Sequence, residues 1–344
     1  MKNYKLFCFF TLFFFSLFSA FAAGKKDVGT EELVSGNVKF VFYKQSGNFC
    51  LYRLSEIGRD NWIPLYDDRA LATTNQYSIL VNNKIYTVKR KSGKLSMTVT
   101  NENNRIAVVY PLNSILSVSQ TFYFLPPSPK DNLPVLCIET NFENTTGSSI
   151  DAGIKALFDT QLGEKQRIPL YTDTMAILGE TRIDVANLKP EYLASANSIA
   201  GCMFFLDKNK EPDIAPNEIF VANWDYLQTM RWTPTVKEGR SFSTKYYNND
   251  SAVLFVWPTK RLNLNEVYTV KTYIGYYDYL HRAVPKEAME QHLKTLSDKD
   301  RKNYDDILYL LKQIEEVKAH PENYSDERIL ELTNAVDEAM KKLQ

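Results

Sequence analysis

Tyr77-Ser-Ile-Leu-Val81 and Lys84-Ile-Tyr-Thr-Val88 stand on either side of Asn82-Asn83. Two runs rich in strand-forming residues are joined by a pair that tolerates positive φ, which predicts a two-residue β-hairpin. The same grammar repeats outward in both directions. Upstream, Val38–Lys44 alternates, breaks at Ser46-Gly47-Asn48 and resumes as Phe49–Leu54. Downstream, Leu95–Thr100 and Arg105–Tyr110 flank Asn101-Glu-Asn-Asn104, a second hairpin signal. Ile115–Leu125 and Leu133–Glu143 are separated by Pro126-Pro-Ser-Pro-Lys-Asp-Asn132, which cannot join a ladder because proline has no N–H to donate. Ile150–Thr160, Ser198–Leu206, Glu218–Asn223, Ala252–Trp257 and Glu266–Tyr276 complete the series. Roughly a dozen strands punctuated in this way predict a mainly β protein, a large antiparallel two-sheet β-sandwich with about five to seven strands in each sheet. Composition agrees, since 21 Tyr, 20 Phe and 4 Trp favour pleated surfaces. Strands do not alternate with long helices, which argues against a doubly wound α/β fold.

Both ends of the chain differ in character. Lys2 and Lys5 precede an apolar run, Leu6–Phe18, that closes on Ala20-Phe21-Ala22. The run is about 13 residues where a membrane-spanning helix needs ~20, so residues 1–22 read as a secretory signal peptide cleaved near Ala22. The expected product is an exported protein, periplasmic or secreted, without a membrane span. Beyond Pro285 there is no glycine, and ten lysines and arginines face fourteen acidic residues. Tyr304, Ile307, Leu311, Ile314 and Val317 recur at helical spacing, as do Ile329, Leu332, Val336, Met340 and Leu343 after a Ser325 cap. These stripes predict that the sandwich, residues 23–284, is followed by a C-terminal α-helical hairpin, residues 285–344. Ile307, Leu311, Ile314, Val336 and Met340 are its candidate partner-docking residues, the partner being an envelope protein.

The residue inventory excludes much chemistry. Lysine plus arginine equals aspartate plus glutamate at 41 each, so the electrostatic footprint of nucleic-acid binding is missing. The three histidines, His281, His292 and His320, all lie beyond the sandwich strands, which leaves no Ser-His-Asp triad or histidine-bound metal within them. Neither a C-x-x-C pair nor a nucleotide-binding or zincin motif occurs. No cofactor, metal or catalytic residue is therefore assigned. Without Cys8, which falls in the signal, Cys50, Cys137 and Cys202 remain. Cys137 and Cys202 sit in apolar strand-like runs and read as buried free thiols. The sequons at Asn144 and Asn249 matter only in a host that glycosylates them.

What is left for a site is carboxylate and aromatic. Asp159 ends a long strand and Glu180 follows Gly179; an acid in either place commonly caps a turn. Trp224-Asp225-Tyr226, Trp232 and Trp257 concentrate aromatic rings. Such rings either supply core area or stack on sugars. Trp224, Asp225, Trp232, Asp159 and Glu180 are the candidate ligand-binding residues.

Three blocks carry a resemblance. Gly153-Ile-Lys-Ala-Leu-Phe-Asp-Thr-Gln-Leu-Gly163, then Phe220-Val-Ala-Asn-Trp224, then Asp250-Ser-Ala-Val-Leu-Phe-Val-Trp257 with the Thr/Tyr-rich strand after it, resemble a poorly characterised group of exported bacterial β-sandwich proteins. The resemblance spans roughly Ile150 to Tyr277 and implies architecture, with no established activity. Related sequences carry extra acidic residues after the position of Gly163, where this chain is compressed, which speaks against an acidic site there.

Two readings of function follow. In the first, the chain is an exported non-enzymatic envelope protein, a binding or structural module with a helical docking tail. It predicts no convergent set of polar groups in a pocket. In the alternative, the sandwich is a glycan-binding or carbohydrate-active domain whose tryptophans and acids line an open cleft. That reading fails if Trp224, Trp232 and Trp257 are all buried.

Overall fold

Asn82 and Asn83 adopt φ of 45° and 67°, and Asn103 and Asn104 adopt 52° and 58°. Both expected hairpins therefore close on left-handed Asn pairs. In the computed structural model the described residues are 29–55, 61–91, 96–126, 134–164, 168–197, 200–206, 216–229, 231–245, 249–276, scattered positions in 302–317, and 323–343. The expected signal peptide, the three histidines and residues 285–301 of the expected helical tail lie outside them. The chain divides into two units, Met1–Asp173 with Ile177–Ala283, and Thr174–Ala176 with Val284–Gln344.

The first unit is mainly β, and its strand pairs are antiparallel, as expected. One long sheet runs Leu170–Thr172, Tyr192–Ala196, Gly201–Phe205, Val267–Tyr276, Val135–Glu143, Ser117–Phe124, Arg105–Pro111, Thr98–Glu102. A seven-stranded sheet runs Thr181–Asp184, Glu218–Asn223, Ser251–Val256, Ile150–Asp159, Gln76–Val81, Lys84–Val88, and Lys260–Leu262 also pairs with Ile150–Asp159. A third, four-stranded sheet, Thr30–Ser35, Val38–Tyr43, Asn48–Leu54 and Trp62–Pro64, adds to the two expected. The short strands Thr30–Ser35, Trp62–Pro64 and Thr181–Asp184 are mostly exposed or half-buried, so they lack the apolar alternation by which longer strands are recognised.

The sheets meet through rings. Phe158 of Ile150–Asp159 lies 5.0 Å from Phe204 and 5.7 Å from Phe255, and Phe122 stacks on Phe40 at 4.7 Å. Tyr77 and Thr272 share a buried hydrogen bond of 2.8 Å that links the seven-stranded sheet to the long one. Such offset and tilted pairs add to the burial of large apolar area.

The central strands of the seven-stranded sheet, Glu218–Asn223, Ser251–Val256 and Ile150–Asp159, are buried on both faces. Successive side chains of a strand point to opposite faces, and Phe158 faces the aromatic layer, so Gly153, Lys155, Leu157 and Asp159 face the other way. There Leu157, Leu254, Phe220 and Ala222 pack with Leu227, Trp224 and Trp232. This cover begins at Asn223, whose carboxamide accepts from Asp225 N at 2.9 Å, capping the short helix Trp224–Leu227. The same carboxamide donates to Phe242 O at 2.5 Å, pinning the far end of the segment. Gly153 is required by close approach, because a Cβ there would stand 2.6 Å from Cζ2 of Trp232.

Cys50, Cys137 and Cys202 are buried and free. Asn144 is fully buried, donating to Ser148 O, Leu262 O and Asn263 O, so its sequon offers no acceptor in the folded state. In the second unit the Ser325 cap forms as expected, with Arg328 N donating to Ser325 Oγ at 3.3 Å, and the helix Asp326–Leu343 follows. Leu332 in it is buried. It is the one C-terminal helix among the described elements, so the full hairpin is not seen. Of the expected first arm, Lys302, Asp306, Tyr309, Leu310, Gln313, Ile314, Glu316 and Val317 are helical. Ile307 and Leu311 fall outside the described residues, as do the side chains of Val336 and Met340.

Candidate functional site

In the seven-stranded sheet Asp159 pairs with Ala252 and Ala252 with Ala222. The ends of Ile150–Asp159 and Glu218–Asn223 and the start of Ser251–Val256 therefore lie along one edge. The residues that continue these strands are forced together there: Asp250, Trp224, and the turn Gln161–Gly163 with Glu164 behind it. A second segment closes on this edge through the backbone. Asp67 N donates to Asp159 O at 2.9 Å, Asp159 N donates to Asn75 Oδ1 at 2.8 Å, and Asn75 Nδ2 donates to Asp67 O at 2.9 Å. Between these anchors Ala70, Leu71 and Ala72 hold φ of 49°, 62° and 56°. Consecutive left-handed residues with side chains carry strain of about 1–2 kcal/mol each. Ser46 Oγ, donating to Leu71 O at 2.9 Å, helps to hold them.

These segments enclose an open cavity of about 410 Å³, lined by Asp67, Arg69, Asp159, Glu164, Trp224 and Asp250 among others. Carboxylate oxygens of Asp159, Glu164 and Asp250 lie within 4.8 Å of one another. Asp67 is neutralised by a bidentate pair with Arg69, at 2.9 Å for both Nε–Oδ1 and Nη2–Oδ2. The other three acids form no salt bridge among the described residues. Burial, reinforced by the Asp250 and Asp67 charges, pushes Asp159 up to about 7. Burial likewise raises Glu164 to about 8, with the Asp159 and Asp250 charges adding to it. Asp250 is raised by burial and by the neighbouring Asp225 charge. Without a compensating cation the cluster therefore takes up protons near neutral pH.

Of the five sequence candidates, Trp224 and Asp159 are brought into this cavity. Trp224 is half-buried, and its Nε1 donates to Thr74 O at 3.1 Å. Asp225 stands behind them, accepting from Gln228 Nε2 at 3.0 Å. Trp232 is elsewhere on the same sheet face, over Gly153, with Lys155 Nζ 5.4 Å from its ring. Glu180 is fully buried in a bidentate pair with Arg240, at 2.6 and 2.7 Å, and also accepts from Lys237 N at 3.0 Å. Its carboxylate braces a turn, the commonplace role weighed for it, whereas the Asp159 side chain caps no turn among the described residues. Trp257 is buried, but Trp224 and Trp232 are each half-buried, so the condition that would have ended the glycan reading is not met. The docking reading expected no convergent polar pocket, and this cavity is one.

Asp67, Arg69, Glu164 and Asp250 escaped sequence reasoning. Asp250 begins a block singled out for its likeness to other proteins, and the three blocks deliver Asp159, Trp224 and Asp250 to one place. Glu164 directly follows Gly163, where an acidic site was not expected; the tight turn brings this single acid against Asp159. Nothing periodic marks Asp67 or Arg69, which enter through backbone bonds to a distant strand.

No family model and no curated protein matches the chain. Solved structures that align with it include a galactose mutarotase-like protein from Lactobacillus casei ATCC 334, at 8% identity and a TM-score of 0.43, covering 72% of this chain and all of that one. A polysaccharide lyase aligns at 9% identity and a TM-score of 0.37, over 79% of this chain and 35% of the other. A protein described as a kojibiose phosphorylase from the human microbiome aligns at 8% and 0.29, over 90% and 34%. At these scores the alignments carry no argument about mechanism.

Proposed function

We propose that this chain is an exported β-sandwich that binds a glycan in the Trp224 cavity. The observation that carries the reading is the convergence of a half-buried indole with Asp159, Glu164 and Asp250 around an open space of about 410 Å³. A sugar presents apolar C–H faces and a rim of hydroxyls, and a ring beside hydrogen-bonding carboxyls is complementary to both. Carboxyls also serve glycoside hydrolysis in pairs; binding is the activity proposed. The module would work outside the cytoplasm, after removal of residues 1–22.

A glycan array of neutral and acidic oligosaccharides, probed with the purified protein, tests the proposal. The expected result is a restricted set of bound glycans whose affinity falls about tenfold or more in Trp224→Ala, in line with ~1–3 kcal/mol for a buried aromatic contact. Because Trp224 also packs on the sheet, Trp224→Phe serves as the folded control and should retain part of the affinity. An array without binding, or binding indifferent to Trp224→Ala, overturns the proposal.

A further inference from the structure

We infer that Asp159, Glu164 and Asp250 form a binding site for a hard divalent cation of the Ca²⁺ class. This inference is independent of any glycan. The donor set is the first argument: three carboxylates converge with oxygens within 4.8 Å of one another. Two ligands at about 2.4 Å from a Ca²⁺ ion can stand as far apart as about 4.8 Å, so the cluster is of a size one ion can bridge. The donors are all oxygen, which selects Ca²⁺ or a similar hard cation over zinc or copper.

An acidic cluster alone would not suffice, and the second argument is an orphaned atom. Asp159 is only 2% exposed and lines the cavity, yet its Oδ1 has no hydrogen-bond partner among the described residues. Buried carboxylate oxygens are ordinarily paired, because leaving one bare forfeits its hydration without return. Here the neighbouring guanidinium that could have served, that of Arg69, is engaged by Asp67. The site is thus short of positive charge where an unpartnered oxygen lies, and the cavity beside it has room for the waters that complete a Ca²⁺ shell.

The test is a titration of EDTA-treated protein with CaCl₂ followed by calorimetry and thermal melting, repeated with TbCl₃ and excitation of tryptophan. One Ca²⁺ per chain is expected, with a rise in melting temperature and with Tb³⁺ emission sensitised through Trp224. Asp159→Asn and Asp250→Asn should each weaken Ca²⁺ binding at least tenfold and abolish the thermal gain. In EDTA, Asp159→Asn should melt no lower than the parent, because it removes a crowded buried charge. Should one variant fail to fold, the other decides, and Trp224→Phe should dim the Tb³⁺ signal while leaving Ca²⁺ affinity in place. Absence of Ca²⁺ binding, or equal binding by the parent and the folded Asn variants, overturns the assignment.

Discussion

Lys155 shows how far a single residue can depart from expectation in a chain of ordinary composition. It lies in a strand whose neighbours are apolar and is 5% exposed, and its ammonium donates to Arg231 O at 2.8 Å. Burial pulls its pKa from 10.5 down to about 8. The folded state therefore holds this proton less tightly than the unfolded chain does. At pH values between these two figures the unfolded chain holds a proton that the folded chain has released, so stability rises with pH across that window. Below about 8 the penalty is present in full. Lys155→Met keeps the length of the side chain and removes the charge. It is expected to stabilise the protein at pH 7 by about 1–2 kcal/mol and to flatten the alkaline rise. Urea melts of both proteins from pH 7 to 10.5 check this, and a Met variant less stable than the parent at pH 7 would refute it. Glu180 makes the opposite case: equally buried, it is matched by Arg240 and Lys237 N. Sequence drew attention to both acids, Asp159 and Glu180, as strand-end or turn carboxylates. It could not separate them, because the distinction rests on partners 57 and 60 positions away for Glu180.

Elements were more legible than sites. Hairpins closed by Asn pairs and strands with alternating burial, such as Ser117–Phe124, follow from local rules of φ and pleat. The cover over the seven-stranded sheet does not, because Trp224, Trp232 and Val236 sit in a segment with little regular structure, and their burial is fixed by the sheet beneath. Gly153 is where the two meet. Its φ lies outside the left-handed region, so its need for glycine is steric: a Cβ would press on the Trp232 ring at 2.6 Å. Gly153→Ala is expected to leave the strand intact, lift Trp232 from the sheet and cost about 1–3 kcal/mol, the usual range for overpacking. A red shift in tryptophan fluorescence with an unchanged far-ultraviolet dichroism spectrum would report the displacement. A variant matching the parent in emission and stability would show that the cover has slack.

At the scale of the molecule, antiparallel strands bring the ends of distant segments to one sheet edge, and a cavity there draws residues from four stretches of chain. That is why Asp159 and Trp224 were readable one by one while Asp67 and Asp250, and the cavity all four share, were hidden: strand order is a global property, and a list of strands does not contain it. The same scale offers a test of the export reading. The three cysteines of the described structure are buried and free, and burial raises each thiol, that of Cys137 to about 11. Thiols held protonated and out of reach of solvent react slowly. A chain exported to an oxidising compartment with an odd number of cysteines avoids unwanted disulfides when its fold hides them all. Protein recovered from its native host should therefore give almost no reaction with a thiol reagent while folded. In denaturant the count separates the two fates of the leader: three thiols per chain if residues 1–22 have been removed with Cys8, and four if they remain. A count of four would overturn cleavage, and rapid labelling of the folded protein would contradict the burial of Cys50, Cys137 and Cys202.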